Sequence, residues 1–291
     1  MWVTVALVVV LIALIWRYTG RPKGLLPGST CYPIIGNVGL VKPSEAAQAH
    51  RKLKQKYGDI YTIMTFHKPM IAVHGYDNIR ELLVKYGGIF SDRPLTIVNG
   101  VFNTGKRFDL VIRSLMGRTE KFCSDNNENI WVWKTLLTRS NHGINKQLTI
   151  SVREFFATGT ETTSTTLRWA IMFLIHYPEW QKKLRENNDV EIGQNEPKME
   201  HKVRLPLVEA FILEVQRQGN IVPFAFPHAP NEDFNFEGYL FPKGTFMFIA
   251  LDSVTTDPKI FPEPSEFKPE RFLDYSGRCN GEQKDKLIPF L

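Results

Sequence analysis

The chain has 291 residues, 43% of them hydrophobic and 12% aromatic, which suffices for a sizeable core and excludes a disordered chain. A formal charge of +6 and a pI near 9.1 suit an anionic membrane surface or an acidic protein partner, whereas scattered Lys and Arg without a recognised motif argue against nucleic acid. Three widely spaced cysteines (Cys31, Cys123, Cys279) do not form a disulfide framework, and the absence of an Asn-x-Ser/Thr sequon favours a cytosolic body.

Residues 2–16 carry no charge. As a helix they span about 22 Å, short of a ~30 Å hydrocarbon core, but Trp2, Trp16 and Tyr18 suit the interfaces and a thin bilayer reduces the mismatch. The alternative is the apolar region of a cleaved signal peptide. Against it stand the missing basic n-region, the missing cleavage pattern, and Arg17, Arg21 and Lys23 placed after the segment. The charge asymmetry predicts a retained anchor over residues 1–20 with its C-terminal side cytosolic. Residues 21–37, rich in Pro and Gly, predict a stiff, extended hinge, and residues 38–291 form the body.

Within the body, helical periodicity over Ser44–Tyr57 stops at Gly58. Ile60–Phe66 and Pro69–His74 read as two strands around a His67-Lys68 turn, and Asp77 caps a helix through Lys85. Residues 107–145 match no pattern. Apolar spacing resumes with Ile150, Val152, Phe155 and Phe156 and continues with Leu167, Ala170, Ile171 and Leu174. Between them lie Gly159 and a run of threonines, predicting a break or bend. Gly costs about 1 kcal/mol relative to Ala inside a helix, and Thr hydroxyls bond back to the i−4 carbonyl. Without other information this text reads equally as a solvent-facing polar patch. Glu214 and Arg217 lie i,i+3 on one helix face, a pair worth only about 0.2–0.5 kcal/mol if exposed. Gly238–Thr245 reads as a hairpin across Pro242-Lys-Gly244, and Pro269-Glu-Arg-Phe272 follows.

Three features taken together, Phe155–Thr166, Glu214-Val-Gln-Arg217 and Pro269-Glu-Arg-Phe272, resemble the cytochrome P450 family of haem-thiolate monooxygenases, microsomal members in particular. The proline-rich hinge, Phe90-Ser-Asp-Arg-Pro94 and Pro227-His228 extend the resemblance to all but the middle segment. It implies a mainly α fold with a small β region and an N-terminal membrane anchor. It also implies haem as cofactor, an apolar organic substrate, and insertion of one oxygen atom. Electrons would come from an NADPH-dependent reductase, with cytochrome b5 as a further partner, at the endoplasmic reticulum membrane.

The same resemblance implies roles. Gly159 gives dioxygen room beside the haem, Thr162 hydrogen-bonds the reacting oxygen, and Glu161 relays protons; Thr158 replaces a smaller family residue. His228 binds a haem propionate, while Glu214, Arg217 and Arg271 form a structural network. Phe108 and Ile112 stand where the family has Trp and Arg, with Arg113 displaced by one position. An internal block is expected to be missing, and the chain stops at Ile288-Pro-Phe-Leu291, where the cysteine ligand loop begins in the family. Gly277-Arg-Cys279-Asn-Gly281 only imitates that loop, so no metal ligand is assigned. The second reading is therefore a truncated, haem-free and inactive chain anchored to the membrane.

Overall fold

The structure, a computed structural model, describes residues 2, 4–5, 8–11, 26–29, 32, 36–37, 45–65, 68–94, 144–279 and 281–288, with no account of the side chains of 144–157 and 281. The chain divides into two units, one made of Met1–Pro94 with Trp169–Leu291, the other of Leu95–Arg168. Residues 107–143, with Phe108, Ile112, Arg113 and Cys123, lie outside the described residues, as do Cys31 and most of the anchor segment. Among the described residues no helix is long and apolar enough to cross a membrane.

Helix α1 (Ala46–Tyr57) ends at Gly58, whose φ of 93° is a left-handed value that Gly adopts at little cost. It leads into β1 (Ile60–Thr65) and β2 (Lys68–Val73), antiparallel with Ile63 opposite Met70. The segment predicted as a hinge lies partly against this hairpin: Leu26 is buried in the core and the Thr62 N–H donates to the Pro27 carbonyl at 2.8 Å. Helix α2 (Tyr76–Arg80) runs into one wide π-helical turn, Glu81–Lys85. Its cap is Gly75 and not Asp77, because the Gly75 N–H is taken by Ser253 Oγ and the chain already turns there.

Helix α3 (Ile144–His176) straddles the two units and is continuous. The predicted break does not form. Thr162 Oγ donates to the Thr158 carbonyl at 2.6 Å and Thr166 Oγ to the Thr162 carbonyl at 2.8 Å, so the hydroxyls are satisfied within the helix.

Helices α4 (Pro178–Glu191) and α5 (Pro206–Gly219) both begin on a proline, whose missing N–H is harmless in the first turn. A short 3₁₀ turn, Met199–Arg204, links them, and Asn220 closes α5 in the left-handed conformation. Gly219 packs closely on Trp169, where an added Cβ would sit 3.2 Å from Cγ of the ring.

The second hairpin pairs β3 (Phe234–Phe236) with β4 (Tyr239–Phe241) around Glu237-Gly238, both at positive φ. That pair of left-handed residues matches the twist of a two-residue hairpin, so it takes the turn predicted at Pro242-Lys-Gly244. The latter instead delivers β5 (Phe246–Ile249) to the other sheet, parallel to β2 in the order β1-β2-β5. Helix α6 (Asp252–Thr255), a 3₁₀ turn at Pro269–Phe272 and helix α7 (Gly281–Lys286) complete the body.

The main core gathers Leu26, Ile71, Val73, Leu82, Phe90, Phe241 and Met247 around the three-stranded sheet. On α5, Phe211 and Val215 are one turn apart and pack with Trp180 and Phe267; Ala210, on the adjoining face, packs with Phe261 and Phe272. Phe173 stacks on Phe267 with ring centroids 4.2 Å apart, tying α3 to the irregular segment after α6.

Ile71 is fully enclosed on the central strand, so Ile71→Ala is expected to cost about 2–5 kcal/mol, read from the urea midpoint of the purified chain.

Candidate functional site

The apolar spacing of α5 places Glu214 and Arg217 on the face turned toward the segment after α6, and both are buried. The carboxylate takes a two-pronged grip from Arg217, Nε to Oε2 at 2.7 Å and Nη2 to Oε1 at 2.8 Å. Oε1 also accepts from Arg271 Nε at 3.2 Å and from the Lys268 N–H at 2.9 Å. Charge-assisted, bidentate bonds of this kind are among the strongest side-chain contacts, and a buried carboxylate left without them is very costly.

The remaining guanidinium hydrogens meet backbone. Arg217 Nη1 donates to the carbonyls of Thr255 (2.8 Å) and Pro264 (2.9 Å). Arg271 donates to Pro262 (2.7 Å) and Glu266 (3.1 Å). The structure thus brings Glu214, Arg217 and Arg271 together, 57 positions apart at the extremes, as the polar centre of residues 255–271.

His228 lies elsewhere in the same unit. Phe90 and Arg93 follow the wide turn of α2 and clamp the strand-like stretch before β3. The ring Nδ1 donates to the Phe90 carbonyl at 2.8 Å, and the Ala229 N–H donates to the Asp92 carbonyl at 2.8 Å. Arg93 Nη1 donates to the Pro227 carbonyl at 2.9 Å. Because a carbonyl only accepts, Nδ1 carries the proton, and neutral His228 presents a bare lone pair at Nε2. That atom is buried without a hydrogen-bond partner. Burial lowers the pKa of the ring; the Phe90 bond opposes this and the nearby Arg93 charge reinforces it.

Gly159, Glu161 and Thr162 belong to the other unit. Glu161 is exposed, Thr162 is bonded back to its own helix, and a Cβ on Gly159 meets nothing within 4 Å.

The haem that the sequence resemblance implies can be tested on these side chains. His228 Nε2 suits a propionate once the ring is protonated. A sulfur ligand is a different matter. Cys279 is half-buried in a backbone bridge to Leu273 and packs beside Ala210, Phe261 and Phe272. Burial, and then the Glu209 carboxylate, push its thiol up, against formation of a thiolate. Among the described residues, His228 thus offers a group suited to a propionate, whereas the surroundings of Cys279 disfavour a thiolate.

One buried group was not anticipated from sequence. His50, Tyr61, His74 and Asp252 meet between α1 and the sheet. Only the apolar surroundings of His74 at a strand end hinted at it.

Comparison with known proteins follows the same lines. The profile of the cytochrome P450 family matches residues 26–114 and 105–290. Among curated proteins, cytochrome P450 2C16 of Oryctolagus cuniculus is 26% identical over 408 residues, covering 94% of this chain and 83% of the relative. Cytochrome P450 2C44 of Mus musculus is 25% identical over 427 residues, covering 99% and 86%. Cytochrome P450 2A13 of Homo sapiens is 40% identical over 146 residues, half of this chain and 29% of the relative. The two longer alignments exceed the 291 residues of this chain, so they carry gaps on its side.

Removing the carboxylate leaves two guanidinium groups facing each other. Glu214→Ala is expected to cost about 3–5 kcal/mol by chemical denaturation. Arg271→Ala, whose outer bonds lie at the solvent edge, is expected to cost less, about 1–2 kcal/mol.

Proposed function

The chain belongs to the cytochrome P450 family, and from that membership we propose a haem-dependent monooxygenase scaffold whose 291 residues do not by themselves carry out the reaction. The family chemistry is insertion of one oxygen atom into an apolar organic substrate, with electrons supplied by an NADPH-dependent reductase and cytochrome b5 as an auxiliary donor. Haem supplies the oxygen-activating chemistry when a cysteine thiolate holds its iron.

In this reading residues 1–20 anchor the chain in the endoplasmic reticulum membrane, 21–37 orient it, and 38–291 form the cytosolic body. Gly159, Glu161 and Thr162 form the oxygen-side groove, and His228 faces a propionate. Glu214, Arg217 and Arg271 order residues 255–271. The His228 arrangement supports this, because a buried unpartnered nitrogen beside an arginine can, once the ring is protonated, donate to a carboxylate. So does the match over most of the body.

The observation that carries the inactive state is the surroundings of Cys279, which sits in a backbone bridge to Leu273 and packs against apolar side chains, burial raising its thiol pKa. Alignments longer than the chain support the view that an internal block of the family fold is missing. An incomplete body loses packing partners, consistent with the exposed Leu167, Ile171 and Ile175 at i, i+4 and i+8 on α3.

The test is to express the 291-residue chain with haem supplied, reduce it and add carbon monoxide. The expected spectrum lacks the Soret shift of a thiolate-bound ferrous haem. A shift that disappears in Cys279→Ala would refute the inactive reading and identify the sulfur donor.

A further inference from the structure

Helix α1 is docked in an unusual way. Its single buried residue is His50, and the other residues facing the sheet, Leu53 and Tyr57, are only partly covered. The His50 ring stacks on Phe248 of β5, with centroids 4.3 Å apart and planes inclined by 20°. Its Nδ1 lies 2.6 Å from the Tyr61 hydroxyl of β1, and the same hydroxyl lies 3.1 Å from Nε2 of His74, just after β2. One hydroxyl between two imidazoles can donate to one and accept from the other with both rings neutral; the hydroxyl also lies 3.3 Å from the His50 carbonyl, and His74 Nδ1 is buried without a hydrogen-bond partner. The two ring centroids are 6.1 Å apart, and both side chains are buried.

The surrounding charges do not favour added protons. From α1, Arg51 binds Asp252 Oδ2 of α6 at 2.9 Å, and Lys54 binds Asp59 at 3.1 Å. Asp59 and one oxygen of Asp252 are therefore engaged by cations, while Asp252 Oδ1 is buried without a hydrogen-bond partner and burial raises the pKa of that carboxyl. Tyr61 is the remaining titratable group in contact, and burial together with Asp252 raises its pKa.

We propose that α1 is an acid-released element: protonation of His50 and His74 detaches it from the sheet while the rest of the body stays folded. Its departure uncovers the apolar face formed by Tyr61, Ile63 and Ala72 with Met70 and Phe248. Burial lowers His50 to about 4, and burial, His50 and Lys54 lower His74 to about 3, both from 6.5. The docked state thus binds fewer protons than the released one. Its advantage is complete above pH 6.5 and shrinks as pH falls toward 4.

Hydrogen exchange on the full chain in detergent tests this. Each ring kept neutral contributes up to about tenfold per pH unit below its free value. The opening constant of the α1 amides, corrected for intrinsic exchange, is therefore expected to rise about a hundredfold between pH 7.5 and 5.5. The α5 amides should hold their protection. His50→Phe, which keeps the stack on Phe248, should reduce the rise to about tenfold, and His50→Phe with His74→Phe should abolish it. The proposal is overturned if wild-type α1 protection is unchanged over that range, if α5 opens in parallel, or if the double variant keeps the full rise. Should the variants fail to fold, the wild-type comparison of α1 with α5 decides alone.

Discussion

A single buried carboxylate sets the terms for the second half of this molecule. Glu214 is enclosed on α5, and its charge is tolerable only because two guanidinium groups and one backbone N–H converge on it. Those guanidinium groups do more than neutralise. Residues 256–268 run between α6 and the last 3₁₀ turn without a ladder of their own, so several of their carbonyls need donors from elsewhere. Arg217 and Arg271 provide them at Thr255, Pro262, Pro264 and Glu266. The apolar contacts follow: Phe261 lies under the Arg217 guanidinium at 5.4 Å, and Phe267 inserts between Phe173, Tyr177 and Phe211.

The legibility of the parts differed for physical reasons. Helix α1 was readable through its stop at Gly58, because that residue acts locally, whereas α4 and the proline starts of α4 and α5 were not read. The grouping of Glu214, Arg217 and Arg271 came from a family pattern; nothing in an i,i+3 pair foretells a third member 54 residues beyond Arg217. The second hairpin was misplaced because Pro-x-Gly is a strong turn signal. Glu237 gave little warning, since its left-handed conformation is unusual for that residue. The threonine run misled in the opposite sense: low propensity predicted a break, but α3 runs through the segment, with the Thr162 and Thr166 hydroxyls bonded back to the preceding turn. His50 escaped notice because α1 is mostly polar, and its burial depends on Phe248, nearly two hundred residues away.

The candidate functional residues divide along the same line. His228 is positioned by long-range backbone bonds from Phe90 and Arg93, a scaffold that exists irrespective of any bound group. Cys279 packs beside Ala210, Phe261 and Phe272, and burial raises its thiol pKa. Family membership supplies the chemistry, and local electrostatics determine whether these residues can perform it.

The claim that Glu214 organises residues 255–271 is tested most directly at one amide. The Lys268 N–H lies in no helix or strand, yet it donates to Glu214 Oε1 at 2.9 Å. Site-resolved hydrogen exchange is expected to show it protected to a degree comparable with the amides of α5. Exchange at the rate of an open loop would contradict the account.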